Sequence, residues 1–247
     1  MEQIQMEVCA NGLTSALAAQ EGGAIRVELC DNLGEGGTTP SYAQIKLATA
    51  QLNMQVYPII RPRGGDFLYS ALEFELMKAD VQCCKDLGCD GVVIGMLLAD
   101  GRVDKTRCAS LIALARPMKV TFHRAFDRTN DLKSALEDII ALGCDRILTS
   151  GGKPTALEGA LVIRELLDQA AGRIEIMPGS GIREHNVRDI IEVTGAKVFH
   201  ATAKIPVSST MQYINEFLNQ AASADENNHE LTTTTAVHKL IQKANAG

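Results

Sequence analysis

The chain has 247 residues, 46% of them hydrophobic, with a net charge of −6 and a pI near 5.4. That length accommodates one large α/β barrel or two small domains, with enough apolar material for a sizeable core. The acidic balance, the absence of Trp, the 4% aromatic content and the lack of a basic stripe argue against nucleic acid or an anionic membrane as partner.

Met1 to Val8 shows no basic segment followed by an apolar core, so no secretory signal is expected. The longest apolar run, around Gly91 to Ala99, is too short to span a bilayer. Seven cysteines, an odd number without any Cys-x-x-Cys pair, read as reduced thiols of a cytoplasmic protein rather than a disulfide framework or zinc ribbon.

The first strand-like run is Met6–Cys9. Gly23-Ala24-Ile25-Arg26-Val27 then opens a second strand that ends at Cys30, followed by the loop Glu35-Gly36-Gly37-Thr38. Val56–Ile60 is the third, and it finishes in Arg61-Pro62-Arg63-Gly64-Gly65-Asp66-Phe67. Gly88-Cys89-Asp90-Gly91-Val92 opens the fourth, and Val120–Phe122 is the fifth, ending His123-Arg124-Ala125-Phe126-Asp127. Leu132, Ala135, Leu136, Ile139 and Ile140 recur at helical spacing. Gly143-Cys144-Asp145-Arg146-Ile147 opens the sixth strand, and Leu157, Ala160, Leu161 and Ala170 outline another helix. Ile174–Met177 is the seventh, ending Pro178-Gly179-Ser180-Gly181. Gly195-Ala196-Lys197-Val198 opens the eighth, which ends His200-Ala201-Thr202.

The four glycine-led openings are separated by 65, 55 and 52 residues, and each reads as a helix ending at a glycine cap just before a strand. Eight β and α units alternating over about 250 residues predict a single (β/α)₈ TIM-type barrel of parallel strands. An open doubly wound sheet is the alternative, but Cys9-Ala10-Asn11-Gly12 is not its glycine fingerprint. The barrel is assigned to residues 1–218. Residues 219–247 form a polar extension: a loop through Thr235, then a short helix striped by Val237, Leu240, Ile241 and Ala244. That helix could cover its own barrel or a partner's.

In such a barrel, chemistry collects at the C-terminal ends of the strands. Glu7-Val8-Cys9 and Glu28-Leu29-Cys30 put each Glu on the same strand face as its Cys. Neighbouring strands lie ~4.8 Å apart, so Cys9 and Cys30 could share one soft ion such as Cu(I); burial as small packing residues is the other reading. Arg61 and Arg63 carry planar donor forks suited to carboxylate or phosphate, unless Arg63 simply pairs with Asp66. Gly179, Ser180 and Gly181 could offer backbone N–H groups at a helix start, and with Arg124 they complete a candidate anion site. His123 could act as a general base or metal ligand, or could bond a barrel carboxylate such as Glu28. Glu28 is a second candidate acid or base, and Asp127 a residue that orients a partner.

These motifs together resemble the CutC copper-homeostasis family. The matching pieces are Met6–Cys9, Arg26–Cys30, Glu35–Ser41, Ile60–Ser70, Thr121–Asp127, Leu148–Gly151 and Met177–Ile182, spread over residues 6 to about 204. The resemblance implies a cytoplasmic TIM-type barrel, often a homodimer, linked to intracellular copper. It aligns Cys9 and Cys30 with the cysteines proposed as Cu(I) ligands in some members, and it supplies no established reaction. Family members often carry Ser or Cys soon after the strand 8 histidine; here Ala201-Thr202-Ala203 follow His200. Whether the chain is an enzyme is therefore open. The competing expectation is a barrel enzyme acting on a phosphorylated or carboxylated metabolite held by the arginines and Gly179–Gly181.

Overall fold

A computed structural model describes residues 3–213, 215 and 228–246. Eight parallel strands alternate with helices. They are β1 (Gln5–Ala10), β2 (Arg26–Leu29), β3 (Gln55–Pro58), β4 (Gly91–Ile94), β5 (Lys119–Phe122), β6 (Arg146–Thr149), β7 (Glu175–Pro178) and β8 (Val198–Ala201). They pair in the orders β3-β2-β1-β8 and β4-β5-β6-β7. Single parallel bridges, Ile59 to Val93 and Gly179 to His200, join the two sheets on both sides. The ring expected of a TIM-type barrel follows.

The helices between the strands are α1 (Leu13–Glu21), α2 (Tyr42–Gln51), α3 (Ala71–Asp86), α4 (Lys105–Ala115), α5 (Leu132–Leu142), α6 (Ala160–Ala170) and α7 (Val187–Thr194). Local chemistry starts several of them. Ser70 and Glu73 form a reciprocal capping box on α3, and Asp131 accepts from the Lys133 and Ser134 N–H groups of α5. The repeated glycines end the preceding helices as expected: Gly23, Gly88, Gly143 and Gly195 all have φ between 74° and 94°. That left-handed conformation lets the chain leave a helix and enter a strand within a few residues.

Strand alternation divides the core. Val8, Val27, Leu29, Val56, Ile94, Phe122, Ile147 and Ile176 are buried in the layer between strands and helices. The barrel interior mixes buried charges with apolar side chains such as Val93, Leu148 and Met177. Glu7 bonds Arg26, Arg146 bonds Glu175, and both arginines flank the buried Tyr57 ring, 5.3 and 5.5 Å from its centre.

The tail departs from the expected loop. Strand β9 (Lys204–Ser208) pairs antiparallel with β10 (Asn228–Thr232), and helix α8 (Thr234–Asn245) follows at once. The extended pairing over 228–232 was invisible locally because its partner strand lies about 24 residues upstream. Residues 219–227 of the predicted linker lie outside the described residues. Helix α8 covers its own barrel: Val237, Leu240 and Ala244 are buried, and α8 packs on α1, α7 and β1. Asn245 locks it by exchanging hydrogen bonds with the Ile4 backbone at 2.8 and 2.9 Å. Among the described residues it is thus the eighth helix of the outer ring.

Candidate functional site

A cavity of about 330 Å³ opens at the C-terminal ends of the strands. Its walls include Cys9, Glu28, Arg61, His123, Arg124, Ser180, Gly181, Arg183, His200 and Lys204. Six of the eight barrel strands thus deliver a polar side chain at or just past their ends: β1, β2, β3, β5, β7 and β8.

A sulfur pair lies at the floor, with Cys9 on the cavity wall and Cys30 behind it. β1 and β2 align Cys9 with Glu28 in register, and the Cys9 and Cys30 sulfurs lie 3.7 Å apart, both buried. The donor atoms of Cys9, Cys30 and Glu28 all fall within 4.8 Å of one another. All seven cysteines are free. The hydrogen bond from the Cys30 thiol brings Cys9 down to about 5 against the cost of burial, helped by His200. The same bond, with burial, pushes Cys30 well above the ordinary thiol value. At neutral pH the pair holds one thiolate and one thiol.

A charged network flanks the pair. His200 Nδ1 lies 2.7 Å from Glu7 Oε1, and its Nε2 lies 3.4 Å from Glu28 Oε2. Burial opposes ionisation of Glu7, but Arg26 and His200 outweigh it and hold the carboxyl at about 2. Burial also disfavours the His200 imidazolium, but Cys9, Glu7 and Glu28 hold its pKa well above the usual value. Burial and the neighbouring Cys9 charge keep the Glu28 carboxyl protonated far above its ordinary range. The histidine bonded to the barrel carboxylates is therefore His200, not His123. Closure of the ring sets β8 beside β1 and places His200 opposite Glu7.

His123 stands on the other wall. Its Nδ1 accepts a hydrogen bond from the Ala125 N–H at 3.1 Å, so the ring proton sits on Nε2, and that buried nitrogen has no partner. Burial and the nearby Arg61 charge push its pKa down to about 3, so the ring is neutral. The Phe67 ring lies 4.9 Å from the imidazole, centre to centre. Arg61 is buried and donates to the carbonyls of Glu35, Gly37 and Gly65 at 2.7–2.8 Å.

Other expected residues are engaged elsewhere. Arg63 turns away from the cavity and pairs with Glu73 at 2.6 Å and Asp66 at 3.0 Å, the simple ion pair that the sequence also allowed. Asp127 accepts from Thr149 Oγ1, the Ser150 and Gly152 N–H groups and Arg124, which makes it a clamp between two loops. The Gly179 N–H is bonded to the Thr149 carbonyl, and α7 starts only at Val187, so Gly179–Gly181 does not cap a helix. Ser180 and Gly181 do reach the cavity wall, Ser180 with φ 84° and its hydroxyl accepting from Arg124 at 3.1 Å. Arg183 and Lys204 also line the mouth and were not anticipated. Both follow the ends of β7 and β8, a position rule that would have included them.

Known proteins resemble this chain closely. The family model described as the CutC family matches residues 4–205. A CutC family protein of Chromobacterium violaceum is 52% identical over 236 residues, covering 95% of this chain and 96% of its own. A human protein named as a copper homeostasis protein cutC homolog is 47% identical over 229 residues, covering 93% of this chain and 84% of its own. The crystal structure of a Streptococcus agalactiae protein named for copper homeostasis and CutC is 37% identical, with a TM-score of 0.78 over 81% of this chain and 99% of that one. A phosphoribosylanthranilate isomerase of Thermotoga maritima, at 12% identity and a TM-score of 0.58, shares the fold alone.

Proposed function

The chain belongs to the CutC family, and from that premise we propose that it takes part in copper homeostasis by binding Cu(I) between Cys9 and Cys30. One observation carries the reading: two buried sulfurs 3.7 Å apart on adjacent strands, one held as a thiolate. Metal–sulfur bonds of about 2.3 Å let both reach a single ion at that spacing. Two soft sulfurs favour a soft monovalent metal over calcium or magnesium, which prefer oxygen. Glu28 is the third donor within reach, and it can release its proton to solvent when the ion's charge arrives.

The pair is buried under the cavity floor, with Cys9 on the cavity wall and Cys30 behind it. Copper would therefore enter through the mouth and meet Cys9 first. Reduced thiols are needed, which fits a reducing cytoplasm. A homodimer belongs to the same reading, carried over from the family resemblance. Light scattering then gives about twice the 26.5 kDa chain mass.

The test is an anaerobic Cu(I) titration against a competing chelator. Wild type is expected to bind one ion, and Cys9→Ser or Cys30→Ser to weaken it by an order of magnitude or more. Unchanged affinity in the double variant refutes the site, as does copper spread over the other five cysteines.

A further inference from the structure

Two buried donors in the mouth are left without partners. Among the described residues, Arg61 Nε and His123 Nε2 are fully buried polar atoms with nothing to bond, and both residues line the same cavity. A buried N–H without an acceptor costs free energy and calls for an explanation, and a ligand oxygen supplies one.

The charge is also unbalanced. Arg61 is 4% exposed, donates to three carbonyl oxygens and lies beside the Tyr69 hydroxyl, and among the described residues no carboxylate lies within ion-pair distance of it. A buried guanidinium is ordinarily matched by an anion. Arg61 is held rigid by three carbonyls and by the Phe67 ring 5.1 Å beneath it. His123 is equally fixed, between Phe67 and Gly95, where a Cβ would come within 2.4 Å of the imidazole. The Ala125 N–H on Nδ1 leaves the His123 proton on Nε2, so the ring presents a donor. Arg124, Arg183 and Lys204 add positive charge around the opening.

We propose that the barrel mouth seats a small oxyanion, the carboxylate or phosphate group of a metabolite, between Arg61 and His123. The anion accepts from both orphan N–H groups and neutralises the guanidinium. Arg183, exposed at the rim, strengthens the field that draws it in. The remainder of the ligand fills the cavity. None of these residues holds copper in the reading above, so the two sites stand or fall separately.

Calorimetric titration of the full chain with inorganic phosphate and, separately, with malonate tests this. The expected result is saturable one-to-one binding of at least one probe; the one that binds tells a phosphate seat from a carboxylate seat. His123→Phe keeps the stacking on Phe67 and removes the donor, and is expected to weaken binding about tenfold. Arg183→Ala alters only an exposed side chain, keeps the fold, and is expected to weaken binding about threefold at low salt and less at high salt. The Cys9→Ser, Cys30→Ser double variant should bind the anion as wild type does. The proposal is overturned if neither probe saturates by about 10 mM, a concentration at which even a millimolar site fills. It is equally overturned if both His123→Phe and Arg183→Ala bind like wild type, or if the double cysteine variant loses the anion.

Discussion

Replacing Glu7 by Gln should cost the fold about 3 kcal/mol at neutral pH, and less as the pH falls. Glu7 is 1% exposed and is the buried counter-charge to Arg26 and His200. Removing one partner of a buried ion pair typically costs 3–5 kcal/mol, because the other charge is stranded away from water. The lower end applies here, since Glu175 at 3.5 Å and Gln55 at 3.4 Å still face Arg26. For a chain of this size that corresponds to a fall in Tm of about 6–12 °C. The pH dependence has a definite sign. The folded carboxyl lies at about 2, below its ordinary value of 4.5, so its stabilisation is complete above 4.5 and is lost as pH falls towards 2. By linkage, wild type should lose about 0.8 kcal/mol of this advantage at pH 4 and about 2 kcal/mol at pH 3. Urea unfolding of both proteins from pH 7 to pH 3 measures the gap. A difference below about 1 kcal/mol at pH 7, or one that widens on acidification, would show that Glu7 is not the ionised anchor of the network.

Other expectations follow from single contacts. Cys30→Ala removes the thiol that donates to Cys9, so the Cys9 pKa should climb from about 5 towards the ordinary 9; the pH profile of thiolate absorbance or alkylation reports it, and an unmoved profile contradicts the sulfur–sulfur bond. Gly22→Ala places a Cβ 2.5 Å from that of Val237, so overpacking should lower stability by about 1–3 kcal/mol in thermal melts; a neutral result would mean that α8 does not dock against α1 as described. Asp127→Asn weakens a carboxylate that clamps Thr149, Ser150, Gly152 and Arg124, and should cost about 2 kcal/mol while leaving Cu(I) affinity unchanged; a loss of copper binding with the fold intact would give Asp127 a role at the site.

Strand period and helix spacing are local properties, and they determined much of this protein. The glycine-led openings marked four helix ends and strand starts because a left-handed residue is needed wherever a helix must stop just before a strand. Alternation in Glu7-Val8-Cys9 and Glu28-Leu29-Cys30 put both cysteines on the inner face, and adjacency of β1 and β2 then brought the sulfurs together. The apolar stripe of α8 was equally legible, but only packing decided which barrel it covers. Other choices needed the closed ring. Arg63 and Arg61 are two residues apart and alike in sequence; Arg63 meets Glu73 on α3 and leaves the cavity, while Arg61 meets carbonyls instead of a carboxylate and stays in it. His123 and His200 both end strands, yet β8 closes against β1, so His200 receives the carboxylates and His123 is left with an unpaired donor. The sequence by itself settled which faces the side chains take, because a strand repeats every two residues. Which charge meets which partner was decided only by the tertiary structure, because a guanidinium or imidazole is matched by groups that ring closure brings from distant strands.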